Sequence, residues 1–289
     1  MVSRIKDINN PPQKLLLPKW QNLKDDVLLT RNNHGHKSSC YRDSSIEELK
    51  TLYKNKCAYC ERVYGDELEV DHYRPKKERQ IIGEPKFNQP GYYWLSYEWS
   101  NLILCCSKCN GNKSNKFPLV GWNELSRVFD HISNVQTPNY NAYDFNWLQN
   151  HEDPLLLNPE SDNNFESHLR YFPSGAIRGI TDKGKATIDI CDLNRGWLIT
   201  QRKKIIDEYV IEINEAINDY DLSKNLIELK IHIESTFKRI QRHTQDDYPF
   251  SLFHNYISVY FKFFIGNNLE ISIKERICNY WDDFRNQLK

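Results

Sequence analysis

The chain has 289 residues, of which 39% are apolar and 27% charged, a balance typical of soluble globular proteins and unlike that of disordered chains. Lys plus Arg and Asp plus Glu both total 39, so overall charge excludes a generally basic nucleic-acid binder, and any basic surface must be local. No stretch approaches the ~20 consecutive apolar residues of a membrane span, and the polar start from Met1 to Asp7 is unlike a signal peptide. We therefore expect a cytoplasmic protein with no membrane partner.

Residues 1–56 are predicted to form an extension of helices and loops. One helix is predicted from 20 to 29, and a second begins at Ser45, which has the sequence of a capping box. Between them, His34 and His36 could bind metal or phosphate. Two solvated loop histidines explain this pair more simply, because nothing nearby supplies the remaining ligands.

The segment 57–118 is predicted to contain a compact unit of two strands and a helix. Its predicted elements are a strand over 67–73, a loop over 79–91, a strand over 102–105 and a helix over 107–115. In such a unit the two strands pair as a hairpin and the helix packs across them. The functional site is then expected between the end of the first strand and the helix.

Two cysteine pairs bracket this unit. They are Cys57-Ala-Tyr-Cys60 and Cys106-Ser-Lys-Cys109. Each Cys-x-x-Cys can place two thiolates on one Zn²⁺, and two pairs complete a tetrahedron that has no open position, so the ion would be structural. Cys105 could replace Cys106 only in a looser spacing, and we favour Cys106. A zinc ion would stabilise a unit that has little core of its own.

Four polar residues between the two cysteine pairs or directly after the second pair have the chemistry of phosphodiester hydrolysis. His72 is suited to activating a water near neutral pH, and oxygen atoms of Asp71 and Asn110 could share a hard cation such as Mg²⁺. Asn101 could hold the loop after His72 and orient the imidazole. Taken singly, each has a simpler explanation as a strand end, a turn residue or a helix cap. The combination of these four residues with the two cysteine pairs favours a catalytic site.

Local charge agrees with a nucleic-acid substrate. The stretch from Asp71 to Lys116 contains eight Lys and Arg residues and four Asp and Glu residues, a local excess of +4. Phosphate backbones select such basic patches. The residues predicted to contact nucleic acid are Arg74, Lys76, Lys77, Lys108 and Lys113.

Residues 119–289 are predicted to be mainly helical. A hairpin is predicted around the turn at 173–175. Four helices follow, predicted over 197–220, 222–242, 250–264 and 273–288. Their apolar residues recur at helical spacing and are predicted to form core.

The motifs in residues 57–116 resemble those of the HNH endonucleases of the ββα-metal, or His-Me finger, group. The matching pattern is Cys-x-x-Cys, Asp-His-x-x-Pro, Asn-Leu-x-x-Leu-Cys and Cys-x-x-Cys-Asn-x-x-Lys. The resemblance implies an α+β fold, in which a zinc-stapled ββα-metal core is embedded in a mostly α-helical chain. It implies that His72 is the general base, that Asp71 and Asn110 bind catalytic Mg²⁺ or Mn²⁺, and that Asn101 is the orienting asparagine. Many members have His where this chain has Asn110.

Flanking motifs narrow the resemblance to the HNH subunits of Septu anti-phage systems, which also occur as retron effectors. These motifs include Leu156-Leu-Asn-Pro159 and Asp192-Leu-Asn-Arg195. The resemblance implies DNA as substrate and an ABC-type ATPase as partner, docked by residues 119–289. Two alternatives stay open. The same site could cut RNA such as tRNA, because metal and His contact the phosphodiester and not the base. The chain could also be an inactive, zinc-stapled nucleic-acid-binding module.

Overall fold

The structure is a computed structural model that describes residues 1–30, 35, 37–63, 67–80, 88–120 and 144–288. The chain divides into two compact units. The first comprises Met1, Ser3–Leu169 and Gly179–Leu193, and the second comprises Val2, Arg170–Arg178 and Asn194–Lys289. The first unit thus takes in both the predicted N-terminal extension and the predicted nuclease segment. The predicted boundaries at 56 and 118 stay predictions, and His34 and His36 lie outside the described residues.

Within the described residues, the first unit combines helices with two small antiparallel sheets. Its helices and strands are α1 (Pro18–Thr30), α2 (Ser38–Tyr53), β1 (Leu68–His72), β2 (Glu78–Gln80), β3 (Asn88–Pro90), β4 (Leu102–Cys106), α3 (Ser107–Lys113), α4 (Phe145–Glu152) and α5 (Asp182–Cys191). Short 3-10 helices cover Gln13–Leu16, Tyr93–Leu95, Trp99–Asn101 and Phe165–Ser167.

Strands β1 and β4 pair in an antiparallel hairpin that carries the motif residues. Asp71 lies opposite Ile103, and His72 lies opposite Leu102. Every residue of β4 is buried, so this strand anchors the hairpin in the core. Helix α3 follows β4 directly, and the Cys106 sulfur caps it by accepting a hydrogen bond from the Cys109 N–H at 3.5 Å. The predicted order of strand, strand and helix is present.

The prediction that a capping box at Ser45 starts a helix was wrong. The helix begins at Ser38, so Ser45 lies in its interior, where the Ser45 hydroxyl donates to the Tyr41 carbonyl at 2.5 Å. A serine inside a helix commonly bonds the carbonyl four residues earlier, so the motif alone does not locate a helix start. The helix ends where Lys54 adopts a left-handed conformation, with φ of 53°.

The predicted loop at 79–91 was wrong in part, because β2 and β3 pair there in a second antiparallel hairpin. After β3, the chain lies next to the residues that follow His72, because the Gly91 N–H donates to the Lys77 carbonyl at 3.0 Å. A Cβ atom at Gly91 would lie 2.5 Å from the Lys77 carbonyl carbon, so only glycine permits this approach. Of the turn-forming residues that suggested a loop, Pro90 ends β3 and Gly91 follows it, while residues 81–87 lie outside the described residues.

The second unit is a helical bundle with a small hairpin. Strands β5 (Leu169–Tyr171) and β6 (Ile177–Gly179) pair with each other, and only their end residues Leu169 and Gly179 belong to the first unit. The helices are α6 (Gly196–Ser223), α7 (Leu226–His243), α8 (Ser251–Val259), α9 (Phe261–Phe264) and α10 (Ile271–Asn286), with a 3-10 helix at Gly266–Asn268. The predicted hairpin turn is confirmed, with Gly175 at φ of 83°. None of the described helices is long and apolar enough to cross a membrane.

The predicted apolar stripes form much of the core of this bundle. Leu198, Ile206, Tyr209, Ile213, Ile217, Ile233, Phe237 and Ile240 are buried. Leu222 and Leu226 were wrongly predicted as core, since their exposed fractions are 88% and 64%. Helix α6 continues through Leu222 to Ser223, so the two predicted helices meet later than expected. The predicted helix at 250–264 is broken at Tyr260, and α5 was not predicted at all.

Candidate functional site

Four buried cysteines form a candidate metal centre. The Sγ atoms of Cys57, Cys60, Cys106 and Cys109 all lie within 4.8 Å of one another. Cys57 and Cys60 lie in the turn after α2, where the Glu61 N–H donates to the Cys57 carbonyl at 3.1 Å. The other two cysteines belong to the junction of β4 and α3. Two distant segments of the chain therefore meet at one point.

The sulfur geometry fits a tetrahedral zinc ion. Zn–S bonds of ~2.3 Å place neighbouring sulfurs about 3.8 Å apart, and the Cys60 and Cys106 sulfurs are 3.9 Å apart. Cys105 does not belong to the cluster, which answers the ambiguity between Cys105 and Cys106. Burial raises the pKa of the Cys105 thiol to about 12, so this side chain stays protonated. Four cysteine ligands would leave the ion no open position, so its role would be structural.

Asp71 and His72 lie side by side at the end of β1, and Lys113 of α3 contacts both. The Lys113 Nζ lies 3.0 Å from Asp71 Oδ2 and donates to the His72 carbonyl at 2.6 Å. Oδ2 of Asp71 is buried, and the Lys113 ammonium is its partner in this ion pair. A carboxylate is a ligand that hard cations prefer, and a cation bound to Oδ2 would share this oxygen with the Lys113 ammonium.

The His72 imidazole is held in a defined orientation. Its Nε2 lies 2.8 Å from the Ser96 carbonyl, and its Nδ1 lies 3.4 Å from the Lys76 Nζ. A carbonyl can only accept, so Nε2 carries the proton and a neutral ring has its lone pair on Nδ1. The ring edge packs against Tyr41, with centroids 4.5 Å apart. Neither Ser96 nor Tyr41 was predicted as part of the site, and a backbone carbonyl leaves no sequence signal.

Asn101 holds the loop that follows His72. Its Oδ1 accepts from the Arg74 N–H at 2.8 Å, and its Nδ2 donates to the carbonyls of Arg74 at 3.0 Å and Leu95 at 3.3 Å. The loop contact matches the predicted one. The imidazole itself, however, is held by Ser96. The catalytic importance of Asn101 stays a prediction.

Asn110 packs against a carboxylate that was not predicted. Its Nδ2 donates to Glu69 Oε2 at 2.7 Å. Glu69 lies two residues before Asp71, so both face the same side of β1, and Asn110 and Lys113 lie one turn apart on α3. The contacts Glu69–Asn110 and Asp71–Lys113 thus join the strand to the helix. The pairing also directs the amide oxygen of Asn110 away from Glu69.

The five predicted nucleic-acid contacts separate into two groups. Lys77 and Lys108 are exposed. Lys76 is half-buried, donates to the Tyr41 hydroxyl at 2.7 Å, and has a pKa lowered by burial to about 8. Arg74 and Lys113 are buried: Arg74 pairs with Glu152 at 2.7 Å, and Lys113 pairs with Asp71. Their predicted contact with nucleic acid stays a prediction.

A cleft of about 270 Å³ opens beside the end of β1. It is lined by Asp71, His72, Pro75, Lys76, Lys77, Glu78, Ser114 and Asn115. The cleft therefore brings together the carboxylate, the imidazole and two of the predicted basic residues. Asn101 and Asn110 lie outside its lining, at the loop and helix contacts described above.

The amino-acid sequence of the chain is similar to those of several known proteins. It is 31% identical to Septu protein PtuB of Bacillus mycoides, over 69% of this chain and 66% of that protein. It is 32% identical to Septu protein PtuA of the same species, over 56% of this chain and 20% of that protein. It is 24% identical to a Vibrio cholerae protein whose name describes it, provisionally, as the HNH endonuclease of retron Vc95, over 76% of this chain and 90% of that protein. No family model and no solved structure matches the chain.

These similarities place the chain among proteins that are named for Septu systems and for a retron HNH endonuclease. The chain is PtuB-like, since two of its relatives are named Septu protein PtuB. It spans just under two thirds of the length of the first PtuB relative and a fifth of the PtuA relative.

Proposed function

We propose that the chain is a divalent-metal-dependent DNA endonuclease that acts in the cytoplasm as the effector subunit of an anti-phage complex with a PtuA-like, ABC-type ATPase. The observation that carries the proposal is the fixed orientation of the His72 imidazole. It is fixed by Ser96 at a cleft that also contains the Asp71 carboxylate. The names of the relatives support the same activity.

The proposed base is Nδ1 of His72. The Ser96 carbonyl holds the proton on Nε2, so Nδ1 can take a proton from an attacking water. The buried contact of the ring with Tyr41 limits its rotation. Asn101 keeps the following loop in place, so that the cleft retains its shape around the base.

Asp71 and Asn110 are the proposed ligands of Mg²⁺ or Mn²⁺. Such an ion, when bound, neutralises charge on the phosphate and on the leaving oxygen. Two observations support this assignment. Asp71 places its carboxylate beside His72 in the lining of the cleft, and Asn110 donates through its nitrogen to Glu69, which leaves its oxygen as the ligand atom. Oxygen donors are those that these hard cations prefer.

Lys76, Lys77 and Lys108 are the proposed nucleic-acid contacts near the site. Lys76 and Lys77 line the cleft, and Lys108 is exposed at the start of α3. A phosphate in the cleft would meet Lys76 within a few ångströms of the proposed base. These contacts are to phosphate and would position the strand without reading its sequence.

The proposed partner contact is an apolar groove in the second unit. The groove has a volume of about 370 Å³ and lies between α6, α7 and α10. Its apolar lining includes Leu226, Leu229, Ile233, Ile273 and Ile277. The neighbouring Ile227 and Ile271 are 75% and 92% exposed. Exposed apolar residues in such number are typical of protein-binding surfaces.

A cleavage assay tests the proposed activity. Plasmid and phage DNA would be incubated with the protein and Mg²⁺ or Mn²⁺, with and without the co-purified ATPase. We expect cleavage by the parent and by His232→Ala, which removes an exposed histidine of α7, and a loss of at least about 100-fold in His72→Ala. Intact DNA in every reaction, or equal cleavage by His72→Ala, contradicts the proposal. Cleavage of tRNA but not DNA in parallel digests would assign the site to RNA.

A further inference from the structure

A cavity of about 310 Å³ lies within the second unit. Its lining consists of Arg170 and six aromatic residues, Tyr171, Phe172, Tyr256, Tyr260, Phe263 and Phe264. The volume is at the lower end of the ~300–1,000 Å³ range of small-ligand sites. Aromatic side chains usually stabilise a fold by being buried. When they instead line an open cavity, the exposed apolar surface is typical of a ligand-binding or partner-binding site.

The break between α8 and α9 exposes two of these rings. Tyr260 lies at the break with φ of −113° and ψ of 43°, outside the helical region. Tyr260 and Phe263 are 55% and 45% exposed. Behind them, the rings of Tyr256 and Tyr260 are 5.8 Å apart and inclined by 34°, and the rings of Tyr171 and Tyr256 are 5.2 Å apart. The exposed rings are thus backed by buried ones and held in place.

Arg170, which lines the cavity, and Arg178, which lies in the strand paired with that of Arg170, give this surface a positive charge. Arg170 of β5 and Arg178 of β6 are exposed, while residues on either side of Arg170 are buried. Within the described residues, neither guanidinium makes a hydrogen bond or an ion pair. By contrast, the nearby Lys262 pairs with Glu275 at 2.9 Å. The described lining of the cavity contains no carboxylate, so nothing in it opposes an anionic ligand.

We propose that this surface, formed by the aromatic cavity together with Arg170 and Arg178, binds unpaired nucleotides of a single-stranded nucleic acid. Aromatic faces stack on bases of any sequence, and unpaired arginines contact phosphates. A duplex keeps its bases inside the stack and cannot offer them to the cavity. The inference rests on the proposed nuclease function for its purpose. Its test measures binding alone, so either proposal can fail without the other.

The test is fluorescence anisotropy with the full chain, without added Mg²⁺ or Mn²⁺. The probes are a labelled 12-residue oligothymidylate, the RNA oligouridylate of equal length, and a 12-base-pair duplex. We expect tighter binding of the single strands than of the duplex. Tyr260→Ala should weaken single-strand binding by about 5- to 150-fold, the range for loss of one stacked base, while Tyr260→Phe, which keeps the ring, should bind like the parent.

The arginines are tested through salt dependence. The slope of log affinity against log salt for the oligothymidylate should fall by about 1.4 in Arg170→Gln/Arg178→Gln, about 0.7 for each phosphate that is no longer neutralised. Lys238→Gln, which removes an exposed and paired charge of α7, should keep the parental slope. All variants should show the parental thermal unfolding.

Three results would overturn the proposal. The first is equal affinity of the parent for duplex and single strands. The second is unchanged single-strand binding in Tyr260→Ala and in the double arginine variant. The third is unchanged nucleic-acid binding together with loss of ATPase co-purification in these variants, which would make the surface a protein-docking site. A preference for oligothymidylate or for oligouridylate would identify the strand as DNA or RNA.

Discussion

The variant Arg74→Ala tests whether Arg74 stabilises the fold or contacts nucleic acid. The side chains of Arg74 and Glu152 are 1% and 0% exposed, and their Nε and Oε2 atoms are 2.7 Å apart. Arg74→Ala would leave the Glu152 carboxylate buried without its cation. Removing one partner of a buried pair costs about 3–5 kcal/mol, mostly because the remaining charge is uncompensated. The Arg74 guanidinium also lies within 5.4–5.9 Å of four ring centroids, those of Tyr73, Tyr92, Phe117 and Phe145.

Calorimetry of thermal unfolding measures this effect. For units of this size, 1 kcal/mol corresponds to roughly 2–4 °C, so Arg74→Ala should lower the melting temperature of the first unit by roughly 6–20 °C. Lys77→Ala is the matched control. Lys77 is exposed, so its variant should melt like the parent and bind DNA more weakly. A second variant, Arg74→Met/Glu152→Leu, removes both charges and should melt above Arg74→Ala.

The opposite pattern refutes the reasoning. If Arg74→Ala melts like the parent and binds DNA more weakly at a temperature where it is folded, the guanidinium contacts nucleic acid as the sequence suggested. If the double variant melts no higher than Arg74→Ala, the uncompensated Glu152 charge is not the cause of the loss.

Three further predictions concern the metal centre and the cleft. Cys60→Ser should lose zinc and unfold the first unit, whereas Cys105→Ser should keep one zinc per chain by elemental analysis; equal zinc loss in both contradicts the assignment. Lys76 is charged below its pKa of about 8 and neutral above it, so DNA affinity should fall between pH 7 and pH 9 in the parent but not in Lys76→Arg; a parallel fall in both shows another group titrating. Glu69→Ala should raise the Mg²⁺ concentration for half-maximal cleavage about 10-fold or more, because it removes the acceptor that holds Asn110; an unchanged Mg²⁺ titration excludes this role for Glu69.

The parts of the site that follow from short spacings could be predicted. The cysteine pairs, the strand that ends at Asp71 and His72, and the helix after Cys106 are each encoded within a few residues. Two knuckles of two cysteines have few ways to bind one ion. The two pairs meet because β1 pairs with β4 and because the Ala58 N–H, within the first pair, donates to the Leu104 carbonyl of β4 at 2.8 Å.

The burial of charged residues could not be predicted in the same way. Arg74 and Lys113 belong to a basic stretch of sequence, yet the partner of Arg74 is 78 positions away in α4. Spacing gives no information about a contact of that length. The same limit applies to His72, which is oriented by the carbonyl of Ser96, since every residue carries that group.

Helix α3 joins the two sites that the sequence separates. Cys106 and Cys109 bring its first turn to the cysteine cluster, and the next turn presents Asn110 to Glu69 and Lys113 to Asp71. A helix of only seven residues is marginal on its own. Its position against β1 therefore depends on the cluster at its start and on the Lys113 contacts at its end. Zinc that fills the cluster would act on catalysis at a distance of one helical turn, by fixing where the Asn110 oxygen lies relative to the Asp71 carboxylate.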